Sequence, residues 1–496
     1  MKRPVAALVA LALAAGGVAA CSASGGGSVA ARPTTTTVGD DDAPRSTTTE
    51  PDDDRGPDDS PSASVDDVAD TVFGDLGDPR IDVSHYDVRV TADPTKPGVK
   101  GTATLTLAAT TDQALRSFTL DLNGPKATSV TVDGKKAGVS AEHREITVTP
   151  AEALDPGTDV DVEISYSGTP SPTTFPALGV PVGWQEDSLG GWFTMSEPDG
   201  TSTWVPVNDH PSDKATWTLT LDTPKAMTGV SNGRLTSSKV VGARREWVWT
   251  TDKPMASYLV LAAIGDYDLV KRAGPAGIQV VFAFPKGVPA GSRKGFDELD
   301  AILTFYAKTF GAYPDDDAGA IVAPTSLGLA LETQTRPLFG LDAVGDGTTW
   351  ALAHEVAHQW FGDAVSPETW ADLWLNEGFA TYADWLYRAD NGEDIDELAA
   401  GTETPSRGDL AVTDPAAAGT FDGAIYDGGA RALHALRRTV GDKAFFEILR
   451  TWFADNEGEN ATTADFEALA TKVSGKDLEA FFTAWLDSPD QPDMPG

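Results

Sequence analysis

One pentapeptide, His-Glu-Val-Ala-His, contains the residues of this chain best suited to hydrolytic chemistry. It lies in a run of helical spacing that extends from Thr348 to Gly362. Residues four apart lie one above the other on a helix, so His354 and His358 can reach one divalent cation. Glu355 would lie beside that cation, where a carboxylate can act as a base for water. The chain has six histidines, so the pattern rarely arises by chance, although two structural histidines on one helix would also give it.

A catalytic zinc site also needs a third protein ligand and an open coordination position. Eighteen residues separate His358 from Glu377, which lies in WLNEGFATY, a second stretch of helical spacing. Two helices packed side by side would present both histidines and this glutamate to one Zn²⁺ ion. Cobalt and manganese accept the same ligands.

HEVAHQWFGD followed by WADLWLNEGFATY resembles the gluzincin aminopeptidase family of aminopeptidase N, which also includes leukotriene hydrolase. The resemblance implies that His354, His358 and Glu377 bind one zinc ion and that Glu355 is the general base. It extends from IDVSHYDV at 81–88 to FFTAWLDS at 481–488. By this resemblance the chain is expected to be a short form without the large C-terminal helical domain of longer relatives.

The same resemblance implies roles for three further residues. Tyr426, in Tyr-Asp-Gly-Gly, matches a YxKG-like element whose tyrosine stabilises the oxyanion, although Gly428 replaces the usual lysine. Glu332, in LALETQ, matches a GxMEN-like segment that here lacks the first glycine, the methionine and the asparagine. Glu197 matches a glutamate that precedes an aromatic-Pro-Asp-Pro pattern. The two glutamates would bind the α-ammonium of a substrate, whereas without the resemblance the three residues would be a packed tyrosine and two surface carboxylates.

These residues together predict a zinc-dependent aminopeptidase that hydrolyses the N-terminal peptide bond of peptides with a free amino terminus. A thermolysin-type endopeptidase is an alternative, because it shares the His-Glu-x-x-His pattern and a glutamate ligand. An epoxide hydrolase like leukotriene hydrolase has no sequence feature of its own here. A catalytically inactive, lipid-anchored binding module is another alternative, but a structural zinc site needs four ligands and no base.

Two folded domains are predicted to position the site. Short segments of period-two alternation from Ile81 to about 285, separated by Gly, Pro, Asn and Asp, predict an antiparallel β-sheet domain over 80–285, a saddle-like sandwich. Beyond Ser292 the apolar residues take helical spacing. We therefore expect a mainly helical, thermolysin-like zinc peptidase domain over 286–496.

The amino terminus has the pattern of a lipoprotein signal peptide. Lys2 and Arg3 precede an apolar run that ends at Ala20, and Val-Ala-Ala-Cys resembles a bacterial lipobox. Residues 1–20 are predicted to be removed and Cys21, the only cysteine, to be lipidated. The alternatives are an N-terminal membrane span, for which the run is short, and a signal peptidase site before a chance cysteine.

The next segment, 21–79, is acidic and rich in Ser, Thr, Pro, Gly and Asp, a composition that predicts a disordered tether. The protein is therefore expected to be extracytoplasmic, either anchored to the cell membrane as a lipoprotein or secreted. The formal net charge of −38 excludes nucleic acid as a partner, because binding phosphates requires clustered Lys and Arg.

Overall fold

The structure is a computed structural model that describes residues 70–93, 98–175, 178–345, 347–402 and 410–496, except for the side chains of residues 417 and 418. The predicted signal peptide, Cys21 and residues 21–69 of the predicted tether lie outside these ranges. Within them, no helix combines the length and the apolar composition that a membrane crossing requires.

Strands build the first domain. In chain order they are β1 (Ile81–Ala92), β2 (Val99–Ala109), β3 (Phe118–Asp121), β4 (Lys126–Val132), β5 (Lys135–Lys136), β6 (Gly138–Glu142), β7 (Glu145–Thr149), β8 (Val160–Gly168), β9 (Thr173–Thr174), β10 (Pro181–Glu186), β11 (Trp192–Met195), β12 (Ala215–Pro224), β13 (Thr228–Ser231), β14 (Arg234–Val241), β15 (Arg244–Met255) and β16 (Ala262–Gly265).

The largest sheet has eight strands in the order β14-β15-β12-β1-β2-β8-β4-β5. Buried and exposed side chains alternate along most of β1, as they do on a strand with one face against a core, and Val83, Val88 and Val90 are fully buried. Neighbouring strands in this sheet are antiparallel except β1 and β12, which run parallel. The long connection through β2 to β11 gives the chain room to return in the same direction.

Two smaller sheets complete this domain, with the strand orders β13-β16-β11-β10-β9 and β3-β7-β6. Strand β11 is buried along its whole length. Glu197 follows it by two residues, so its position is set by a strand in the core of the domain rather than by a surface loop. The prediction of a β-rich first domain is confirmed.

The second domain contains the remaining strands and the α-helices. Its strands are β17 (Tyr267–Ala273), β18 (Gln279–Pro285), β19 (Asp317–Val322), β20 (Ala330–Leu331), β21 (Leu338–Phe339), β22 (Ser366–Pro367) and β23 (Asn460–Ala461). Its helices are α1 (Leu299–Phe310), α2 (Thr348–Ala357), α3 (Trp374–Asp390), α4 (Ile395–Gly401), α5 (Ala416–Gly419), α6 (Gly423–Val440), α7 (Asp442–Asn456), α8 (Thr463–Ser474) and α9 (Glu479–Trp485).

The predicted domain boundary at 285/286 falls inside a sheet. Strands β17 and β18 belong to a five-stranded sheet of order β17-β18-β19-β21-β20, in which β18 pairs in parallel with β19. Their alternation resembles that of the first domain, but their hydrogen-bond partners lie in the second. By this pairing the second domain begins near Tyr267.

The last ten residues of the predicted tether are part of the folded body. Asp70 Oδ2 accepts hydrogen bonds from Trp370 N at 2.8 Å and from His210 Nε2 at 3.3 Å. The ring of Phe73 packs edge-on against those of Phe175 and Trp370. Residues 70–79 therefore join the first domain to the start of the helix that carries Glu377, because their few apolar and acidic side chains find buried partners.

Helix α3 packs against both α2 and α6. From Trp374 to Ala380 every residue of α3 is buried. The axes of α3 and α6 approach closely at two glycines, where a Cβ on Gly378 would lie 2.8 Å from Gly429 Cα. A side chain at either position would separate the helices. The prediction of a helical peptidase domain is thus confirmed.

Candidate active site

The three predicted zinc ligands converge between α2 and α3. Glu377 Oε2 lies 3.3 Å from His354 Nε2 and 3.4 Å from His358 Nε2. The donor atoms of the three side chains all lie within 4.8 Å of one another. The two helices thus bring together the residues that the sequence pattern assigns to one ion.

Helix α2 ends at Ala357, five residues before the predicted Gly362. Beyond it the backbone bonds tighten, because Gln359 N donates to Val356 O and Trp360 N donates to Ala357 O, each across three residues. His358 keeps helical dihedral angles, so its ring still lies next to that of His354, with the ring centroids 4.7 Å apart. The shorter helix therefore leaves the ligand pair intact.

The donor set fits a zinc ion. His358 Nδ1 contacts Asn376 Oδ1 and lies 3.2 Å from Phe361 O, so both neighbours of this nitrogen are acceptors. The proton must then reside on Nδ1, which leaves the Nε2 lone pair free for a metal. Two imidazoles and one carboxylate, with no fourth protein ligand grouped with them among the described residues, match a catalytic zinc site rather than a structural one.

Burial and opposite charges set the protonation of these ligands. Burial raises the pKa of Glu377, but His358 and His354 outweigh it and lower that pKa to about 2. Burial also lowers the pKa of His354. For His358 the effect of burial is opposed by Glu332 and Glu377, which together raise its pKa well above the usual value. Glu377 is therefore ionised beside the neutral imidazole of His354, an arrangement that favours binding of a cation. That cation would replace the proton on His358.

Glu355, the predicted base, is 6% exposed and lies on α2 one residue after the first ligand. Burial, together with the negative charges of Glu332 and Glu377, raises the pKa of Glu355 well above its usual value, while His358 opposes the shift. A carboxyl group with a raised pKa is suited to accept a proton and to return it.

Tyr426 lies in the first turn of α6, with its ring nearly parallel to that of His354 at a centroid separation of 6.3 Å. Burial first, then the carboxylates of Glu377 and Glu197, raise the pKa of Tyr426 well above that of a free phenol. The hydroxyl therefore stays protonated at neutral pH and can donate a hydrogen bond into the site.

Glu197 and Glu332 both lie at the site, at the side of Glu377. Carboxylate oxygens of the three residues lie within 4.8 Å of one another, and both Glu197 and Glu332 are only 3% exposed. Glu197 Oε1 accepts no hydrogen bond from any residue in the described part of the chain. Burial, followed by the charges of Glu332 and Glu377, raises the pKa of Glu197 well above its usual value. Three buried carboxylates so close together require positive partners.

Two amide side chains that the sequence motifs did not single out donate hydrogen bonds to Glu332. Asn376 Nδ2 donates to Glu332 Oε1 at 3.0 Å. Gln359 Nε2 donates to Glu332 O at 3.0 Å, and Gln359 Oε1 accepts from Thr335 N at 2.6 Å. Each amide is adjacent in sequence to a metal ligand, a signal that could have drawn attention to both.

The sequence matches two domains of one known family. The Peptidase M1 N-terminal domain matches residues 82–259 and the Peptidase family M1 domain matches residues 346–485, which together are more than half of the chain. Aminopeptidase M1-D of Oryza sativa subsp. japonica is 27% identical over 308 residues, and aminopeptidase N of Streptomyces lividans is 27% identical over 322 residues. Each alignment covers 56% of this chain, but only 35% and 36%, respectively, of the relative.

A solved structure is similar over nearly its whole length. It is a mutant M1 zinc metallopeptidase from Deinococcus radiodurans bound to a Tyr-Ser-Ala substrate, with 30% sequence identity and a TM-score of 0.79. The similarity covers 86% of this chain and 99% of that one. The two domain matches cover more than half of the chain, and the His-Glu-x-x-His residues at the end of α2 lie beside Glu377 of α3. The chain therefore belongs to peptidase family M1.

Proposed function

We propose that this protein is a zinc-dependent aminopeptidase that hydrolyses the first peptide bond of peptides with a free amino terminus. The observation that carries the proposal is the convergence of Glu197, Glu332 and Glu377 within 4.8 Å. Glu377 faces the histidine ligands, so the other two carboxylates remain to bind a second positive group, and the α-ammonium of a peptide is that group. An ammonium held there would place the first residue of a peptide beside the metal ligand Glu377.

The catalytic roles follow from the geometry. Zinc, when bound by His354, His358 and Glu377, supplies a Lewis acid that polarises a carbonyl and lowers the pKa of water. Glu355 accepts a proton from the attacking water and returns it to the leaving amine. Tyr426 donates a hydrogen bond to the oxyanion of the tetrahedral intermediate.

A thermolysin-type endopeptidase would need the space beside the metal to accept peptide chain on both sides of the cleaved bond. In this site two buried glutamates lie next to Glu377, and Glu197 Oε1 lacks a donor among the described residues. A neutral peptide segment would leave those charges uncompensated, which is costly in a buried site. This favours the exopeptidase.

The decisive experiment compares a peptide with a free amino terminus and the same peptide N-acetylated, using zinc-loaded protein. Acetylation removes the charge, so cleavage of the acetylated peptide should fall by about 10²-fold or more, since hydrogen-bonded buried charge pairs contribute at this level. Glu332→Gln should lower cleavage of the free peptide and leave that of the acetylated peptide almost unchanged. Equal cleavage of the two peptides by the wild type would indicate an endopeptidase. Cleavage of neither would favour the inactive binding module.

We also propose that the protein is held outside the cytoplasm by a lipid on Cys21. The support comes from the sequence: a charged start, a short apolar run and a lipobox-like Val-Ala-Ala-Cys. With Cys21→Ser the protein should leave the membrane fraction or keep its signal peptide. If wild type and variant are both released, a signal peptidase site explains the segment. If both stay in the membrane with an unmodified residue 21, a transmembrane span does.

A further inference from the structure

We propose that Asn376 is a positioning residue that couples the metal ligand His358 to the amine-binding carboxylate Glu332. Its side chain touches both, since Oδ1 contacts His358 Nδ1 and Nδ2 donates to Glu332 Oε1 at 3.0 Å. The part of this inference that concerns Glu332 depends on the aminopeptidase function proposed above. The part that concerns His358 does not.

The amide has a fixed orientation. A carboxylate accepts hydrogen bonds only, so the Asn376 atom that faces Glu332 must be the nitrogen. The oxygen then faces His358 Nδ1 and requires a proton there, which leaves Nε2 as the metal-binding atom. One planar group therefore contacts both the imidazole and the carboxylate, and with Phe361 O it favours the tautomer protonated at Nδ1.

The surroundings hold Asn376 rigidly. Its side chain is fully buried. Next to it, Gly362 has a φ of +122°, and a Cβ at this position would lie 2.0 Å from Asn376 Oδ1. A glycine is thus needed for the amide to occupy its place. Asn376 directly precedes the metal ligand Glu377 on α3 and contacts the metal ligand His358. A shift of either ligand is therefore transmitted through Asn376 to the other ligand and to Glu332.

Asparagine is also the residue type that serves both neighbours. A leucine of similar size would leave Glu332 Oε1 without this donor and would leave His358 Nδ1 with Phe361 O, 3.2 Å away, as its acceptor. An unmatched buried polar group is destabilising. Gln359, which also contacts the Glu332 segment, reaches only backbone atoms there and does not touch the histidine ring. Among the described side chains, Asn376 is therefore the one that hydrogen-bonds both His358 and Glu332.

The first measurement is zinc affinity, by chelator competition with the metal-free protein. Asn376→Leu is expected to raise the Kd for zinc by about 10- to 100-fold, the usual effect of losing the partner of a ligating histidine. Asn391→Leu is the matched control, because Asn391 is bound to Tyr387 O just past the end of the same helix and does not touch the site. A zinc Kd in Asn376→Leu equal to that of the control would overturn the inference.

The second measurement is a double-mutant cycle at saturating zinc, read as KM for an aminoacyl substrate and as inhibition by L-leucinamide. Asn376→Leu is expected to raise both constants by about tenfold, in line with the loss of a hydrogen bond to a charged group. In a Glu332→Gln background the same change should add almost nothing, because the carboxylate it positions is gone. An undiminished effect in that background would mean that Asn376 does not act through Glu332.

Asn376→Ser, which is smaller but polar, provides a second variant if the leucine variant does not fold. Serine is too short to reach both neighbours, so the same two measurements should show the same pattern. A wild type that binds zinc but neither cleaves aminoacyl substrates nor binds L-leucinamide would contradict the aminopeptidase proposal. The zinc comparison would then still test the contact with His358.

Discussion

The two halves of the site are assembled in different ways. The metal half, His354, His358 and Glu377, comes from two adjacent helices, and its first and last members are 23 positions apart in the sequence. The amine half, Glu197 and Glu332, joins a residue after β11 of the first domain to one after β20 of the second. Metal binding therefore depends on a local helix pair, whereas the proposed recognition of the amino terminus would depend on how the two domains pack.

This difference separates the expected consequences of substitution. Changes in the metal half should act on kcat or on zinc affinity and affect all substrates alike. Changes in the amine half should act on KM and on the discrimination between free and blocked amino termini. Substitutions in each half can therefore test whether the halves are separable.

The largest effect is expected from Glu355→Gln, a change next to the metal half. Without a base, kcat should fall on the order of 10³- to 10⁴-fold for free and acetylated peptides alike, while zinc remains bound because Glu355 is not a ligand. Single-turnover kinetics and elemental analysis of the purified variant measure the two quantities. Retained activity would refute Glu355 as the base, and loss of zinc would show that the base and the ligands are not separable.

The two histidines of the metal half could be predicted from spacing alone, because a helix fixes which residues share a face, whereas the choice of Glu377 on a second helix depended on the family resemblance. Glu197 and Glu332 could not be predicted from spacing, because no local periodicity relates positions that lie in different domains. They were found only through a family pattern that this sequence matches incompletely. The role of Asn376 depends on the orientation of an amide between two packed helices, which a sequence does not specify.

A smaller effect, confined to the amine half, is expected from Glu197→Gln. The neutral amide keeps the size of the side chain but loses the charge, so kcat/KM for a free peptide should fall by about 10²-fold. Cleavage of the acetylated peptide should remain at its low level, so discrimination between the two peptides should largely disappear.

Glu163→Gln is a matched control for that experiment. Glu163 lies on an exposed position of β8, in the first domain. Its substitution should therefore leave kcat/KM unchanged for both the free and the acetylated peptide. Steady-state kinetics with the two peptides gives the comparison. A fall in kcat for both peptides with Glu197→Gln would place Glu197 with the metal half instead.

Most of the fold follows from alternation and helical spacing, with errors where composition misleads. Strands β17 and β18 alternate like those of the first domain, and residues 70–79 share the acidic, proline-containing composition of the predicted tether. Helix α8, by contrast, begins at a local signal, the capping box formed by Thr462 and Asp465. Which sheet a strand joins, and which short segment finds a buried partner, depends on long-range contacts.

A further test concerns the distance between α3 and α6. Gly429→Ala would place a Cβ 2.8 Å from Gly378 Cα, so α6 must shift and carry Tyr426 away from Glu377. A displacement of this kind is expected to lower kcat by about 10- to 100-fold, and by no more than Tyr426→Phe does. Zinc affinity should change little.

Gly401→Ala controls for the added methyl group, because Gly401 ends α4 and has open space around it. Stopped-flow measurement of kcat and chelator competition for zinc give the two readouts. If Gly429→Ala lowers only the melting temperature, the close helix contact stabilises the fold without positioning the tyrosine.

The smallest effect on activity, but a clear one on stability, is expected from Asp384→Asn on α3. Asp384 is buried, Oδ1 has no hydrogen-bond partner among the described residues, and burial raises its pKa to about 7 although Arg388 opposes the shift. An unfolded chain releases this proton from about pH 4 upward while the folded chain retains it, so folding stability falls as pH rises from about 4 to 7.

Asparagine cannot ionise, so Asp384→Asn should remove that decline. At pH 8 the variant should be more stable than the wild type by about 1–3 kcal/mol, and at pH 4 the two should be nearly equal. Arg388 keeps Glu393 as a partner at 2.7 Å, which limits the loss from removing the carboxylate. Denaturant unfolding at both pH values measures the difference, and kcat at pH 8 should not change. A variant less stable by the same amount at both pH values would mean that the contact with Arg388 outweighs burial of the charge. A changed kcat would mean that the metal half depends on charges two helical turns beyond Glu377 as well as on the packing of α3.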